Sequence, residues 1–312
     1  MIKSKKGFIQ ISFPWLFAIL VGIAIIFLAI YGVTKLIRTE QTIQDVKTGK
    51  ELGILLNPLE IGFESAKTTS LTFPVDTRMT NDCNVNGEFG RQLVKISQKS
   101  FNQWTDTNLN VGFSNKYFFS KSLLEGKELL VFAKPFNFPF KVTDIIYFTS
   151  SNDIYCFVNA PEDIEEELSN LGQENLLFDN CTEIENALQV CFAGGSSCDI
   201  NVNPNAQSVE KREGKVYYEG DALMYAGIFS DKEVYECQLQ RLMKRVSILA
   251  ELYGDKAELI SSINCNTNLE PDLLQLQNMA ESLDKSSEIF QLTNLVDDID
   301  RKNKENSICK LW

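Results

Sequence analysis

A long apolar segment near the amino terminus constrains this chain more than any other feature. Residues 8–33 contain no charged side chain, and five basic residues flank them: Lys3, Lys5, Lys6, Lys35 and Arg38. As a helix rising about 1.5 Å per residue, such a segment reaches ~39 Å and exceeds the ~30 Å hydrocarbon core of a bilayer. The sequence therefore predicts one transmembrane helix, residues 8–33, in contact with membrane lipid.

A secretory signal peptide is a poor description of this segment. The apolar core of such a peptide has about 7–15 residues and ends in a small-residue cleavage site. Here the run is longer and passes through Tyr31 and Gly32 to Lys35 without an Ala-x-Ala pattern. We therefore expect the helix to stay on the protein as an anchor.

The residues before the helix suggest how it is processed. Lys5-Lys6-Gly7 followed by Phe8 resembles the short leader of type IV pilin-like proteins, including the archaeal ones. In that family a membrane peptidase cuts after the glycine, and the helix remains as anchor and assembly surface. The resemblance implies a basic leader, residues 1–7, cleavage between Gly7 and Phe8, and assembly with copies of this chain or other pilin-like subunits.

This resemblance covers about the first 35 residues and has departures. Bacterial pilins carry a glutamate five residues into the mature chain, where this sequence has Ser12, and Pro14 lies early in the helix. The alternative is an uncleaved anchor whose lysines follow the positive-inside rule. The rest of the chain is similar to uncharacterised archaeal membrane proteins, which implies no activity.

Charge and cysteine content indicate the side on which the rest of the chain lies. Basic residues concentrated before the span favour a cytoplasmic amino terminus. An even number of cysteines beyond the span is typical of disulfides in an oxidising compartment. We expect a single-pass protein of the cell membrane with most of the chain extracellular and a candidate glycosylation site at Asn180. The disulfide candidates are Cys83, Cys156, Cys181, Cys191, Cys198, Cys237, Cys265 and Cys309.

The composition excludes several functions. The chain has a net charge of −12, and residues 1–38 contain basic but no acidic side chains, so the remainder is strongly acidic and would repel nucleic acid. Histidine is absent, which removes the usual general base and the commonest zinc ligand. The acidic residues Asp297, Asp298 and Asp300 do not have calcium-loop spacing. We predict no enzymatic activity, no catalytic residue, no metal site and no cofactor.

Hydrophobic periodicity predicts an α+β fold behind the transmembrane helix. A helical stalk is expected over residues 34–51, a β-rich extracytoplasmic domain over 52–220, and a helical hairpin-type subdomain over 221–312. The first predicted strand is Leu52–Ile61. Phe136, Phe138, Phe140 and Val142 alternate between two prolines, which predicts an edge strand with one apolar face. That face either covers the core or is exposed for a partner.

The carboxyl-terminal helices allow one disulfide to be preferred over another. Apolar residues from Tyr235 to Ile263 recur at three- and four-residue steps, which predicts a helix of about 30 residues. Two further apolar sets follow, Leu273–Leu283 and Leu292–Ile299. On one straight helix they would face directions that differ by roughly 150° around the helix axis. A break near Ser286 buries both sets and returns the last helix toward Cys265. We therefore predict a Cys265–Cys309 disulfide rather than Cys237–Cys309.

Two non-enzymatic functions remain open from the sequence. One is a pilin-like subunit or minor pilin that assembles through its apolar helix. The other is a single-pass, membrane-tethered binding or adhesion module that does not form filaments.

Overall fold

The computed structural model describes residues 13–55, 67–100, 103–104, 111–178, 181, 184–192, 198–306 and 308–312. These residues form an α+β structure with an apolar amino-terminal helix, a body built on two sheets, and helices at the carboxyl end, which confirms the predicted class. The helices are α1 (Phe13–Leu55), α2 (Glu162–Ser169), α3 (Gly220–Phe229), α4 (Lys232–Ser261), α5 (Glu270–Glu281) and α6 (Phe290–Glu305), with a 3-10 turn at Ser286–Glu288.

The first sheet is built from seven strands in the order β3-β2-β1-β6-β7-β5, with β4 beside β2. Its strands pair antiparallel, except that β5 runs parallel to β7. The bounds are β1 (Lys67–Asn84), β2 (Arg91–Ser100), β3 (Gln103–Trp104), β4 (Val111–Phe113), β5 (Phe118–Phe119), β6 (Leu123–Asn137) and β7 (Lys141–Ser150).

The second sheet has six strands in the order β13-β12-β11-β10-β8-β9. Strands β8 to β11 are parallel to one another, and β12 and β13 add an antiparallel hairpin. The bounds are β8 (Tyr155–Val158), β9 (Leu176–Phe178), β10 (Leu188–Cys191), β11 (Ile200–Asn203), β12 (Ser208–Lys211) and β13 (Gly214–Tyr217).

Helix α3 joins the two sheets into one core. It contacts β6 and β7 of the first sheet and β12 and β13 of the second. Every residue from Ala222 to Phe229 is buried, so this helix is apolar all round, as expected of a helix surrounded by protein. Gly227 allows the close approach, because a Cβ there would lie 3.0 Å from Cγ2 of Val209. The main cluster continues into α4, α5 and α6.

The first sheet also buries its opposite face. Because side chains alternate along a strand, Ile145 and Tyr147 of β7 join the main cluster while Ile146 and Phe148 join a second, smaller one. This second cluster includes Val94 and Ile96 of β2, both almost fully buried. Helix α1 contacts β2 and β4, so it lies beside the strands that carry this cluster.

Two predictions about strands are wrong. The predicted strand Leu52–Ile61 begins inside α1, which continues as a helix to Leu55; its residues 56–61 lie outside the described part of the chain. The aromatic segment is not a single edge strand, because it ends β6, turns over residues 138–140 and begins β7. Among the described residues, β6 pairs with β1 only as far as Ala133, so Pro135 lies where β7 is the one described partner and its missing amide donor breaks no pairing with β1. All four alternating residues are buried in the main core, which is the core-covering alternative.

The carboxyl-terminal helices agree with the periodicity. Helix α4 has 30 residues, and α5 and α6 are separated by a break that contains the Ser286–Glu288 turn. Leu273 and Leu276 of α5 and Leu292 and Ile299 of α6 are all buried. The break therefore lets both apolar sets face the same core.

Candidate functional site

The amino-terminal helix is long and apolar enough to cross a membrane, and it is the only such helix among the described residues. Its apolar part, Phe13–Leu36, has 24 residues, none of them buried. At about 1.5 Å per residue these residues extend ~36 Å. Together with the disulfides described below, this helix indicates a membrane-anchored protein from an oxidising environment.

The same helix continues without interruption beyond its membrane-length part. Phe13–Leu55 is one helix of 43 residues. Helix α1 also contacts β2 and β4 of the first sheet. One helix therefore carries the apolar segment and lies against the sheet-rich body.

All eight cysteines are paired, and the pairs span between 7 and 154 residues of the chain. They are Cys83–Cys237, Cys156–Cys181, Cys191–Cys198 and Cys265–Cys309. The last pair is the one that the apolar phase shift predicts, with a Cα–Cα distance of 5.4 Å. Cys237 bonds Cys83, 154 residues away, a partner that sequence spacing does not indicate. The predicted sites Gly7, Phe8 and Asn180 lie outside the described residues.

A buried polar network lies beside the Cys83–Cys237 disulfide and fixes α4 to the first sheet. The Arg241 guanidinium is fully buried and donates to four backbone carbonyls, those of Phe89, Phe113, Ser114 and Lys116, at 3.0–3.3 Å. It also donates to Gln238 Oε1 at 2.7 Å. Gly90 is required here, because its φ is +58° and a Cβ would lie 2.8 Å from Cγ of Arg241.

Two of the three acidic residues singled out in α6 form ion pairs with neighbouring basic residues. Asp298 pairs with Arg301 and Lys302, and Asp300 pairs with Lys304 at 2.6 Å. The Lys302 and Arg301 hydrogen bonds hold the pKa of Asp298 below its ordinary value. Within the described ranges, no group of three or more aspartate, glutamate or cysteine residues is placed to hold a metal ion.

A cleft of about 490 Å³ opens where the second sheet meets the end of α3 and the start of α4. Tyr155, Ile228 and Phe229 contribute buried apolar surface to it. Lys121 and Lys211 line it together with Asp231, the residue that precedes α4. No motif predicts this cleft, because its residues come from segments up to about 110 positions apart in the sequence.

Lys211 is the most perturbed charged group in this cleft. Its Nζ donates to the Ser230 carbonyl oxygen at 2.6 Å, at the carboxyl end of α3. Burial lowers the pKa of Lys211 to about 8, against the opposing charges of Asp231 and Glu213. Burial also raises the pKa of Tyr155 well above its ordinary value, so its hydroxyl stays protonated. The cleft therefore holds a half-buried ammonium group and a protonated tyrosine hydroxyl.

Comparison with known proteins gives no relative: no protein-family model matches the chain, and no curated protein or solved structure is similar to it.

Proposed function

We propose that this protein is a membrane-anchored, extracytoplasmic pilin-like subunit that assembles through its apolar amino-terminal helix. The observation that carries the proposal is the geometry of α1. Its part Phe13–Leu36 is apolar enough to cross a membrane and has no buried residue, and the same helix continues to Leu55 and contacts the first sheet. A helix of this kind serves at once as membrane anchor and as a rigid support for the domain.

The helix also carries a surface suited to contacts between helices in lipid. Ala18 and Gly22 lie on one face as a small-xxx-small pair, which lets two backbones approach closely. A Cβ built at Gly22 meets nothing within 4 Å, so no described part of the chain occupies this face. An assembled helix bundle would cover it, and would also shield the exposed apolar side chains when the subunit leaves the bilayer.

The proposal predicts that the mature chain begins at Phe8. Mass spectrometry of the protein from its native membrane should detect Phe8 as the amino terminus. The variant Gly7→Leu should accumulate an uncleaved precursor, because the leader peptidase requires a small residue before the cut. Gly22→Leu is the matched control: it should be cleaved normally and should reduce the amount of chemically cross-linked oligomer. An intact Met1–Lys6 segment on the native protein would contradict the pilin-like function.

A membrane-tethered binding module is the second candidate, and the cleft beside α3 favours it. A filament subunit needs no ligand cleft, whereas a binding module needs one. This function uses the same helix only as an anchor, so it predicts a retained leader and no effect of Gly22→Leu on oligomers.

A further inference from the structure

The most exposed large apolar side chains outside α1 are concentrated at one end of the carboxyl-terminal helices. Among the described residues beyond α1, five such side chains are 59–89% exposed, whereas the other three on the surface are only 37–45% exposed. The five are Leu252, Leu259, Ile263, Leu274 and Ile308. Single exposed apolar residues are normal, but several at one place mark an interaction site.

Two of these residues form a row on the outer side of α4. Leu252 and Leu259 are seven residues apart, which places them on the same side of the helix. Ala250 and Ala257 are fully buried, and each precedes a leucine of the row by two residues, or about 200° around the helix. The row therefore faces away from the core. Ile263 extends it two residues beyond the end of α4.

The remaining two residues lie beside this row. Gln277 of α5 donates from its Nε2 to Oε2 of Glu251 on α4 at 3.2 Å, and Leu274 is one turn from Gln277 on the same side of α5. Ile308 lies next to the disulfide that joins the end of α4 to the end of the chain. The five exposed apolar residues thus occupy the outer side and the disulfide-linked end of the α4–α5 pair, and we call them the α4–α5 face.

The α4–α5 face is surrounded by negative charge. Residues 246–284 contain seven acidic side chains and one basic side chain, Lys256. The Lys256 ammonium is engaged, because it donates to a backbone carbonyl near the carboxyl terminus. Glu251, Asp255 and Glu258 of α4 are exposed, and none of them forms an ion pair with a described residue. The charge beside the apolar row is therefore negative and uncompensated.

This charge discriminates between the possible occupants of the α4–α5 face. A second copy of this chain would bring the same carboxylates together, and anionic lipid headgroups would also meet them with like charge, which is unfavourable. A partner with basic side chains beside an apolar row complements both features. Because the apolar row of α4 repeats at seven residues, the spacing at which helices pack along each other, the partner segment that fits it is a helix.

We propose that the α4–α5 face docks a cationic amphipathic helix of a partner protein. The apolar side of that helix contacts Leu252, Leu259 and Ile263, and its lysine or arginine side chains pair with Glu251 and Glu258. This interaction goes beyond pilin-like assembly and does not depend on it, since no residue of the face belongs to α1.

Local structure alone does not explain the α4–α5 face. Leucine is a strong helix former, which accounts for an exposed leucine in α4 or α5. It does not account for Ile263 and Ile308, because both are β-branched residues outside the helices and are more exposed than the leucines. An apolar partner surface accounts for all five residues together.

The experiment measures binding of a fluorescein-labelled peptide to the full-length protein in phosphatidylcholine nanodiscs by fluorescence anisotropy, with empty nanodiscs subtracted. The peptide is a helix of about three heptads with leucine at a and d and lysine at e and g. Wild-type protein should bind it saturably. Replacing both Leu259 and Ile263 by serine should weaken binding by about tenfold or more, because two apolar contacts are lost. Leu123→Ser, at an exposed position on β6, is the matched control and should leave the affinity unchanged.

Two further measurements test the charges and the folding of the variants. A peptide with glutamate in place of every lysine should bind about tenfold more weakly or worse. The affinity of the lysine peptide should fall as salt is raised, and combining Glu251→Gln, Asp255→Asn and Glu258→Gln should reduce this salt dependence. The urea midpoints of all variants should match that of wild type, because every substituted side chain is exposed.

Several results would overturn the proposal. They are the absence of saturable peptide binding to folded wild-type protein, equal affinities for wild type and the double serine variant, and equal affinities for the lysine and glutamate peptides. Dimers between single-copy nanodiscs that the double substitution abolishes would instead identify a second copy as the occupant. Binding of the nanodiscs to anionic vesicles that the same substitution abolishes would identify lipid. None of these results bears on leader cleavage at Gly7, so the α4–α5 face and the pilin-like function fail independently.

Discussion

Arg241 is a buried cation that the fold satisfies without a carboxylate. Its donors reach four backbone carbonyls and the Gln238 side chain, and its guanidinium lies 4.7 Å from the centre of the Tyr117 ring. Burial lowers the pKa of Arg241 to about 10, so the group remains charged at neutral pH. The carbonyls belong to the loop after β1, to the end of β4 and to the segment between β4 and β5, and Arg241 connects all three to α4.

We expect Arg241→Met to lower the free energy of unfolding by roughly 3 kcal/mol or more, because several buried carbonyls lose their donor at once. Arg245→Met is the control on the same helix: Arg245 donates to a single carbonyl, that of Val142, and its loss should cost about 1 kcal/mol. Urea unfolding of both full-length variants with disulfides intact, followed by tryptophan fluorescence, measures the difference. Equal costs would show that the carbonyl contacts of Arg241 are not stabilising.

Sequence patterns could not identify the residues of the cleft. Lys211 ends a short strand and Tyr155 begins another, and both residue types are ordinary at such positions. What brings them into one cleft is α3, which packs on the second sheet. The absence of histidine and of metal-ligand spacing is readable from the sequence, whereas a cleft between distant segments is a property of the folded molecule.

At the scale of elements, helices were easier to predict than strands. The periodicity of α4 extends over 30 residues, and the phase shift between α5 and α6 locates the break. Strand β12 (Ser208–Lys211) was not predicted, because it has one apolar residue and depends on pairing with β11 and β13. The strand predicted from Leu52 was wrong because the run Leu52 to Leu55 is equally compatible with a helix, and α1 simply continues through it.

The disulfides allow a prediction at this scale, since they close loops of very different length. Cys265–Cys309 joins the segments that follow α4 and α6 and spans 44 residues, whereas Cys191–Cys198 spans 7. In the chain-entropy model the first stabilises the fold by about 4 kcal/mol and the second by about 2.5 kcal/mol. Replacing both cysteines of each pair by serine should lower the free energy of unfolding in that order.

Chemical denaturation of the two double variants, beside wild type, gives this comparison. Peptide mapping without reduction should first verify that the remaining three pairs are unchanged, so that the measured costs refer to one bond each. A larger cost for the Cys191–Cys198 pair than for Cys265–Cys309 would contradict the order expected from loop length.

For the whole molecule, the sign of the charge changes along the chain between the amino-terminal end and the body that follows the apolar helix. Residues 1–38 contain five basic side chains and no acidic ones, so the other residues carry a net charge of −17. Every cysteine belongs to the acidic part, and all are bonded. A basic end before an apolar helix and an acidic, disulfide-linked body after it are consistent with one orientation, with the amino terminus in the cytoplasm.

This orientation predicts the outcome of protease treatment of intact cells. A membrane-impermeant protease should remove the acidic body and leave an anchor fragment containing Phe13–Leu36, because the body faces the protease and the helix is shielded by lipid. The same digestion after cell permeabilisation controls for intrinsic resistance, which four disulfides could produce in either orientation.

In parallel, thiol trapping of unfolded, unreduced protein should detect no free cysteine thiol. Protection of the body in intact cells with cleavage only after permeabilisation, or eight reactive thiols, would place the body in the cytoplasm and contradict both the proposed orientation and the pilin-like function.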